Sequence, residues 1–252
     1  KLALEEGLNC DAMSVGEITL LMKAGFPVER IFFVPNNVAP YELAFALKNK
    51  VMTSLDSLSQ LELFGEVCNQ MNIPAGERKC AVRINPGVGA GHHEKVVTGG
   101  KKTKFGIAEY DIPHIFEIAS KYGVRIAGIN QHIGSLFMDP QPYLDAVTNL
   151  LRIAEGFKDL DFIDFGGGYG IPYHKLDDEK DFPMEDFKAR LEPILDDFVA
   201  RYRKAPLFKS EPGRFCVAEG SVILGRVHAT KENSGIQFAG TDVGMNVLVR
   251  PS

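Results

Sequence analysis

Three short polar motifs follow three consecutive apolar runs in the second half of the sequence. They are HIGS at 132–135, FGGGYG at 165–170 and EPGR at 211–214. Backbone N–H groups bared by glycine, a serine hydroxyl and an arginine together suit the binding of a phosphate group. If the apolar runs are neighbouring parallel strands, their carboxyl ends bring the motifs to one edge, as at the usual phosphate site of a β/α barrel. The predicted chemistry is therefore the binding of a phosphorylated ligand.

Each motif also has a purely structural interpretation. Gly166, Gly167 and Gly168 could form only a tight turn after a strand. His132 could be a buried imidazole whose hydrogen bonds are satisfied, and EPGR could be a surface turn with its acid in solvent. The predicted convergence of all three motifs favours the phosphate site, because a lone turn would not require the other two.

Other phosphate and metal motifs fit the sequence less well. The segments GVGAGHH at 87–93 and GGGYGI at 166–171 lack the glycine spacing of G-x-G-x-x-G, and no Walker A pattern is present. His92 and His93 are adjacent, and the sequence has no H-E-x-x-H motif, so we expect no metal site. The glycine-rich segment 87–106 is either a lid or binding loop, or a surface excursion.

Composition limits the class of protein. The 252 residues are 45% hydrophobic and 24% charged, with a net charge of −5, which is typical of a globular protein without a basic surface for nucleic acid. No apolar run approaches the length of a membrane span. The four cysteines form no C-x-x-C pair, so we expect reduced thiols and a cytoplasmic location.

Short apolar runs alternate with amphipathic stretches along most of the chain, which predicts a parallel α/β sheet, open or closed. The predicted strands are 8–13, 30–34, 50–53, 80–85, 125–131, 162–165 and 207–210. The predicted helices are 15–24, 40–49, 57–71, 111–122, 140–157 and 185–203. The first residues, KLALEEG, indicate a helix end, so we expect one further strand before them. Eight strands in total predict a TIM-type (β/α)8 barrel lacking its first strand.

The alternation of short apolar runs and amphipathic stretches ends after Arg214. Two strand-like runs, 221–230 and 236–243, are separated only by the turn-like segment KENSG. The sequence therefore predicts a barrel domain over 1–214, with an incomplete first βα unit, and the beginning of a β-rich C-terminal domain over 215–252.

The motifs CDAMSVGE, RINPGVGAGHHEKVVTGGKKTKFGI, QHIGS, DFGGGYGIPY, EPGR and DVGMNVLVRPS, in this order, resemble those of the fold-type III pyridoxal-phosphate decarboxylases. The resemblance covers nearly the whole chain, and segment 83–107 is most similar to the diaminopimelate decarboxylase branch. It implies pyridoxal 5′-phosphate as cofactor, an amino acid as substrate and a homodimer that shares its active sites. Ornithine- or arginine-type decarboxylases and a non-catalytic homologue that binds the cofactor remain alternatives.

The resemblance also implies roles for individual residues. His132 and Glu211 would be catalytic, with His132 stacked on the pyridine ring and Glu211 facing the ring nitrogen. Arg214 and Arg250 would bind the carboxylate or phosphate of the ligands. The implied cofactor-binding residues are Asp11, Ser14, His132, Ser135, Gly166, Gly167, Gly168, Glu211, Pro212, Gly213 and Arg214.

One part of the family pattern is missing from the sequence. The family's Schiff-base lysine lies in a motif like Y-A-x-K-A-N ahead of the segment that matches CDAMS, and no such motif occurs here. The later C-G-x-x-C-E-type segment and the tyrosine after RP are also missing. We therefore expect the full-length protein to convert meso-2,6-diaminopimelate to L-lysine, and these 252 residues alone to be inactive.

Overall fold

The computed structural model describes residues 1–85, 87, 103–173, 179–202, 204–244 and 247. It divides the chain into two compact units, Lys1–Phe215 and Cys216–Ser252. In the first unit, seven strands form one parallel sheet whose spatial order follows the sequence. The predicted parallel α/β architecture is therefore confirmed. The prediction for segment 87–106 lies mostly outside the described residues.

The predicted strands and helices of the first unit are all present, with ends shifted by a few residues. The strands are β1 (Cys10–Ala12), β2 (Ile31–Phe33), β3 (Met52–Leu55), β4 (Lys79–Arg83), β5 (Arg125–Asn130), β6 (Phe162–Gly167) and β7 (Leu207–Glu211). The α-helices are α1 (Leu2–Glu5), α2 (Val15–Lys23), α3 (Pro40–Lys48), α4 (Leu58–Gln70), α5 (Ile112–Tyr122), α6 (Gln141–Ala154), α7 (Met184–Tyr202) and α8 (Gly213–Val217). One detail is corrected: Gly166 and Gly167 belong to β6 itself, since the strand continues through them.

The sheet curls so that strands far apart in its order meet across its inner face. The rings of Phe32 on β2 and Phe162 on β6 pack edge to face, with centroids 5.3 Å apart. Val34 and Ala81 complete this small interior cluster. A much larger core lies between the sheet and the helices and includes Phe33, which is fully buried. The structure thus confirms the TIM-type barrel lacking one strand.

Serine caps start two of the helices directly after strands. The Ser14 hydroxyl accepts a hydrogen bond from the Glu17 N–H at the start of α2, and the Ser57 hydroxyl accepts one from the Gln60 N–H at the start of α4. Such caps satisfy N–H groups that have no partner within the helix. Because each of these helices begins three residues after the end of its strand, the polar residues at these strand ends are held on short connections.

The second unit contains an antiparallel hairpin of β8 (Val227–Asn233) and β9 (Ile236–Thr241). Its turn consists of Ser234 (φ 54°) and Gly235 (φ 80°), as expected for a two-residue type I′ turn. The predicted KENSG turn was too long, because its first three residues pair within the hairpin. That this unit begins a larger β domain stays a prediction. No described helix has both the length and the apolar character needed to cross a membrane.

Gly128 lies in a tightly packed part of the barrel interior, and a substitution at this position tests that packing. A Cβ atom at this position would lie 2.3 Å from the Phe162 ring. We expect Gly128→Ala to lower the free energy of unfolding by about 1–3 kcal/mol, because the interior has no room for the added methyl group. Urea unfolding followed by circular dichroism measures this loss. In the control variant Gly76→Ala, where a Cβ atom meets nothing within 4 Å, we expect a change below about 0.5 kcal/mol. Equal unfolding curves for the two variants would contradict the close contact between Gly128 and the Phe162 ring.

Candidate active site

The ends of β5, β6 and β7 bring the three polar motifs together at the carboxyl edge of the sheet. The Gly167 N–H donates a hydrogen bond to His132 Nδ1 at 3.1 Å. Gly167 is also the register partner of Glu211 on β7. The Glu211 carboxyl oxygen Oε2 lies 3.8 Å from His132 Nδ1. One residue from each motif therefore meets at a single point.

The three consecutive glycines let the backbones of neighbouring segments approach closely. Gly166 and Gly168 have positive φ angles of +72° and +108°, which L-residues with side chains rarely adopt. A Cβ atom would lie 2.3 Å from the Gln131 carbonyl oxygen at Gly166, 1.8 Å from the Glu211 carbonyl oxygen at Gly167 and 2.2 Å from the Gly134 carbonyl oxygen at Gly168. The fold itself thus requires glycine at all three positions.

The N–H groups of two of these glycines also have hydrogen-bond partners within the protein. The Gly166 N–H donates to the Asp164 carboxylate at 2.9 Å, and the Gly167 N–H donates to His132. These two N–H groups have partners inside the protein, and the contribution of Gly166 and Gly167 to a phosphate site stays a prediction. Gly213, at the start of α8, differs from them because a Cβ atom there would meet nothing within 4 Å.

His132 is a neutral imidazole. Burial lowers its pKa to about 4, and the nearby positive charge of Arg83 acts in the same direction. Since Nδ1 accepts a hydrogen bond from Gly167, the ring proton resides on Nε2. The 3.8 Å approach of Glu211 to Nδ1 is therefore not an ion pair, because an ion pair would need a proton on that atom.

Three carboxyl groups lie close together on the inner face of the sheet. Asp164 is buried on β6, and Glu211 is mostly buried on β7. Asp11 on β1 is reached by solvent, although protein surrounds its carboxyl group on most sides. Desolvation raises the pKa of each group, that of Asp11 to about 7.

Several neighbouring groups act on the pKa of Glu211. Desolvation raises its pKa well above the usual range, and the negative charges of Asp164 and Asp11 raise it further. A hydrogen bond between the two side chains raises the pKa of Glu211 and lowers that of Asp164.

A second polar network at this edge was not identified from the sequence. The buried Arg83 guanidinium lies 3.8 Å from the Asp56 carboxylate and 4.7 Å from the Phe105 ring centroid. Asp56 accepts hydrogen bonds from the Gly106 N–H at 3.0 Å and from the Asn36 amide at 2.6 Å. The position of these residues in the sequence could have identified the network, because Asp56 and Arg83 lie at the carboxyl ends of predicted strands.

The remaining predicted site residues lie around this centre with different partners. Ser135 is partly buried in the segment that follows β5, and the hydroxyl of Ser14 caps α2. Pro212 directly follows β7. The Arg214 guanidinium donates a hydrogen bond to the Tyr173 hydroxyl at 2.5 Å. Arg250, His92 and His93 lie outside the described residues.

Comparison with known proteins gives consistent matches over the chain. A family model described as pyridoxal-dependent decarboxylase, pyridoxal binding domain, matches residues 1–218. The diaminopimelate decarboxylase of Methanothermobacter thermautotrophicus is 41% identical over 98% of this chain and 57% of its own length. That of Aquifex aeolicus is 33% identical over 100% of this chain and 59% of its own length.

A solved structure supports the same relationship. Diaminopimelate decarboxylase from Helicobacter pylori, complexed with L-lysine, matches with a TM-score of 0.87 and 29% identity. The match covers 99% of this chain and 61% of that one. The chain thus spans about three fifths of the length of the relatives it matches.

The protonation state of His132 can be measured directly. We expect its ring to titrate near pH 4 and to carry its proton on Nε2 above that pH. An unfolded histidine titrates near pH 6.5, so the contribution of His132 to the free energy of unfolding is complete above about pH 6.5 and is lost as pH falls towards about 4. Ring ¹⁵N NMR measures both properties, and His132→Gln identifies the resonance. A midpoint near 6.5, or a proton on Nδ1, would contradict this assignment.

Proposed function

This chain belongs to the pyridoxal-dependent decarboxylase family, and from that membership we propose that the whole protein removes CO₂ from the D-configured carbon of meso-2,6-diaminopimelate to give L-lysine. The names of the relatives support this substrate over ornithine and arginine. The observation that carries the proposed site is the meeting of His132, Gly167 and Glu211 at the carboxyl edge of the sheet.

The polar groups at this edge fit pyridoxal 5′-phosphate, the cofactor of the family. A pyridine nitrogen needs an acidic partner, and Glu211 is a desolvated carboxyl group whose pKa is raised well above its usual value. A flat aromatic ring needs a neutral surface, and the imidazole of His132 is neutral and fixed in orientation by Gly167. When bound, the cofactor supplies an electron sink for the electron pair that departing CO₂ leaves behind.

Glu211 performs the main proton step of this proposal. With the cofactor bound, the Glu211 carboxyl group would face the ring nitrogen and would hold a proton at that atom, which would keep the nitrogen positively charged. Asp164 and the backbone of Gly167 hold the Glu211 side chain and main chain in place. His132 contributes position without charge, because a cation next to the ring would oppose protonation of the nitrogen.

The phosphate group needs hydrogen-bond donors at this edge of the sheet. We propose that the Ser135 hydroxyl, the backbone of Gly168 and Gly213, and the Arg214 side chain hold it. Gly213 supports this proposal because the space where its Cβ atom would lie is open. Arg214 and Arg250 remain the proposed partners of the substrate carboxylate.

Replacing Glu211 tests its role. In the full-length protein we expect Glu211→Gln to lower kcat/KM for meso-diaminopimelate by about 10²- to 10⁴-fold, because an amide cannot give the nitrogen a proton. Glu211→Asp should retain more activity than Glu211→Gln. Release of CO₂ from labelled substrate measures both. The control is Glu62→Gln, since Glu62 is exposed and pairs with Lys121 on the helical surface. Wild-type rates in Glu211→Gln, or faster release from ornithine or arginine in the unaltered protein, would contradict the proposal.

We further propose that a polypeptide of only these 252 residues does not bind the cofactor covalently. Its sequence contains no lysine in a Y-A-x-K-A-N motif ahead of CDAMS. After incubation with pyridoxal 5′-phosphate and reduction with borohydride, we expect no peptide to carry the cofactor, as judged by mass spectrometry. The full-length protein is the positive control. A stoichiometric adduct on the short polypeptide would refute this proposal and would identify the lysine involved.

The proposed setting is a cytoplasmic homodimer of the full-length protein that shares its active sites between subunits. The resemblance to the decarboxylase family supports the dimer. The free thiols of Cys10, Cys68, Cys80 and Cys216 support a reducing compartment.

A further inference from the structure

Tyr143 places a hydroxyl group in an aromatic cluster where a plain phenyl ring would pack equally well. The residue lies in the first turn of α6 and is fully buried. Its ring centroid lies 5.3 Å from that of Phe137, 5.1 Å from that of Tyr169 and 5.5 Å from that of Phe187. Burying a hydroxyl group costs free energy unless a hydrogen bond compensates for it, and phenylalanine would avoid this cost. The hydroxyl group of Tyr143 therefore needs an explanation beyond packing.

This hydroxyl group reaches β6 at the glycine motif. It donates a hydrogen bond to the Gly166 carbonyl oxygen at 3.1 Å, since a carbonyl group can only accept. The Gly166 carbonyl and the Gly167 N–H belong to one planar peptide group, and because that group is trans they point in opposite directions. On the opposite side, the Gly167 N–H donates to His132 Nδ1 at 3.1 Å. Tyr143 and His132 thus hold the same peptide group from its two ends.

The peptide group between Gly166 and Gly167 has little restraint of its own. Its orientation depends on ψ of Gly166 and φ of Gly167, and glycine restricts these rotations less than any residue with a side chain. The close backbones of Gln131 and Glu211 nevertheless require glycine at both positions. The hydrogen bond from Tyr143 on α6 therefore supplies a restraint that the two glycines lack.

We propose that Tyr143 is a positioning residue of the active site, whose hydroxyl group fixes the 166–167 peptide group so that the Gly167 N–H stays directed at His132 Nδ1. That second hydrogen bond keeps the ring proton on Nε2 and holds the imidazole in one orientation. The inference rests on the proposed function only for its effect on the reaction rate, because both hydrogen bonds belong to the described residues.

The test uses Tyr143→Phe in the full-length holoenzyme, since this variant removes the hydroxyl group and keeps the ring. At neutral pH, ring ¹⁵N NMR of the histidine-labelled protein distinguishes the two neutral tautomers, and His132→Gln identifies the resonances. We expect the ratio of the Nε2–H form to the Nδ1–H form of His132 to fall about 2- to 10-fold in Tyr143→Phe, which is the effect of weakening one neutral hydrogen bond.

A second measurement connects this hydrogen bond to the reaction. With saturating pyridoxal 5′-phosphate, we expect Tyr143→Phe to lower kcat for release of CO₂ from meso-diaminopimelate about 2- to 10-fold. KM should change less than kcat, because the fully buried Tyr143 has no surface that the substrate can contact.

Tyr202→Phe is the matched control. The Tyr202 hydroxyl donates to the Phe157 carbonyl oxygen at 2.7 Å and accepts from the Leu160 N–H at 3.1 Å, ahead of the amino end of β6. This variant also loses hydrogen bonds between a tyrosine hydroxyl and the backbone, but at the other end of the strand. We expect it to lower the melting temperature, as Tyr143→Phe does, and to leave both the His132 tautomers and kcat unchanged.

The outcomes separate a positioning role from a structural one. A lower melting temperature of Tyr143→Phe with unchanged His132 tautomers would overturn the inference, and so would an equal change of the tautomers in Tyr202→Phe. A changed tautomer ratio with unchanged kcat would also overturn it. Failure of the unaltered protein to release CO₂ from meso-diaminopimelate would instead overturn the proposed function, and the NMR comparison would still decide whether Tyr143 orients the peptide group.

Discussion

The contact between the backbones of Gly167 and Glu211 is the constraint on which the rest of the site depends. β6 and β7 approach so closely here that any side chain at position 167 would overlap the Glu211 carbonyl group. This approach places the Glu211 carboxyl group beside His132 and next to Asp164. The position of the Glu211 carboxyl group and its distance from the imidazole follow from the register of these two neighbouring strands.

The electrostatics of the inner face oppose stability. Three carboxyl groups and a lysine lie where a barrel built only for stability would carry apolar side chains, and burial raises the pKa of each carboxyl group. Titratable groups with strongly perturbed pKa values concentrate at functional sites. The cluster of Asp11, Asp164 and Glu211 is therefore best understood as part of the proposed active site. The neutral His132 adds no charge to this cluster.

The sequence predicted the fold of the first unit well, because the spacing of apolar residues distinguishes strands from helices and their alternation indicates a parallel sheet. Alternating apolar runs predicted every strand of the parallel sheet in the described residues, and the helix-like start of the chain is α1. The glycines at 166–168 have a structural reason that the sequence did not show, because close contacts between the backbones of neighbouring segments leave no sequence pattern. Lys209, the register partner of Asp164, was not identified because a lysine inside a strand gives no motif. Only alternation with Glu211, two residues later, places it on the inner face.

A crystal structure of the full-length protein with pyridoxal 5′-phosphate tests the central claim most directly. The account predicts the ring nitrogen within about 2.6–3.2 Å of a Glu211 carboxyl oxygen, with the imidazole of His132 against the ring face. It also predicts the phosphate group near Ser135, Gly168 and Gly213. A ring nitrogen paired with another residue, or a phosphate group bound away from the carboxyl edge of β5, β6 and β7, would contradict it.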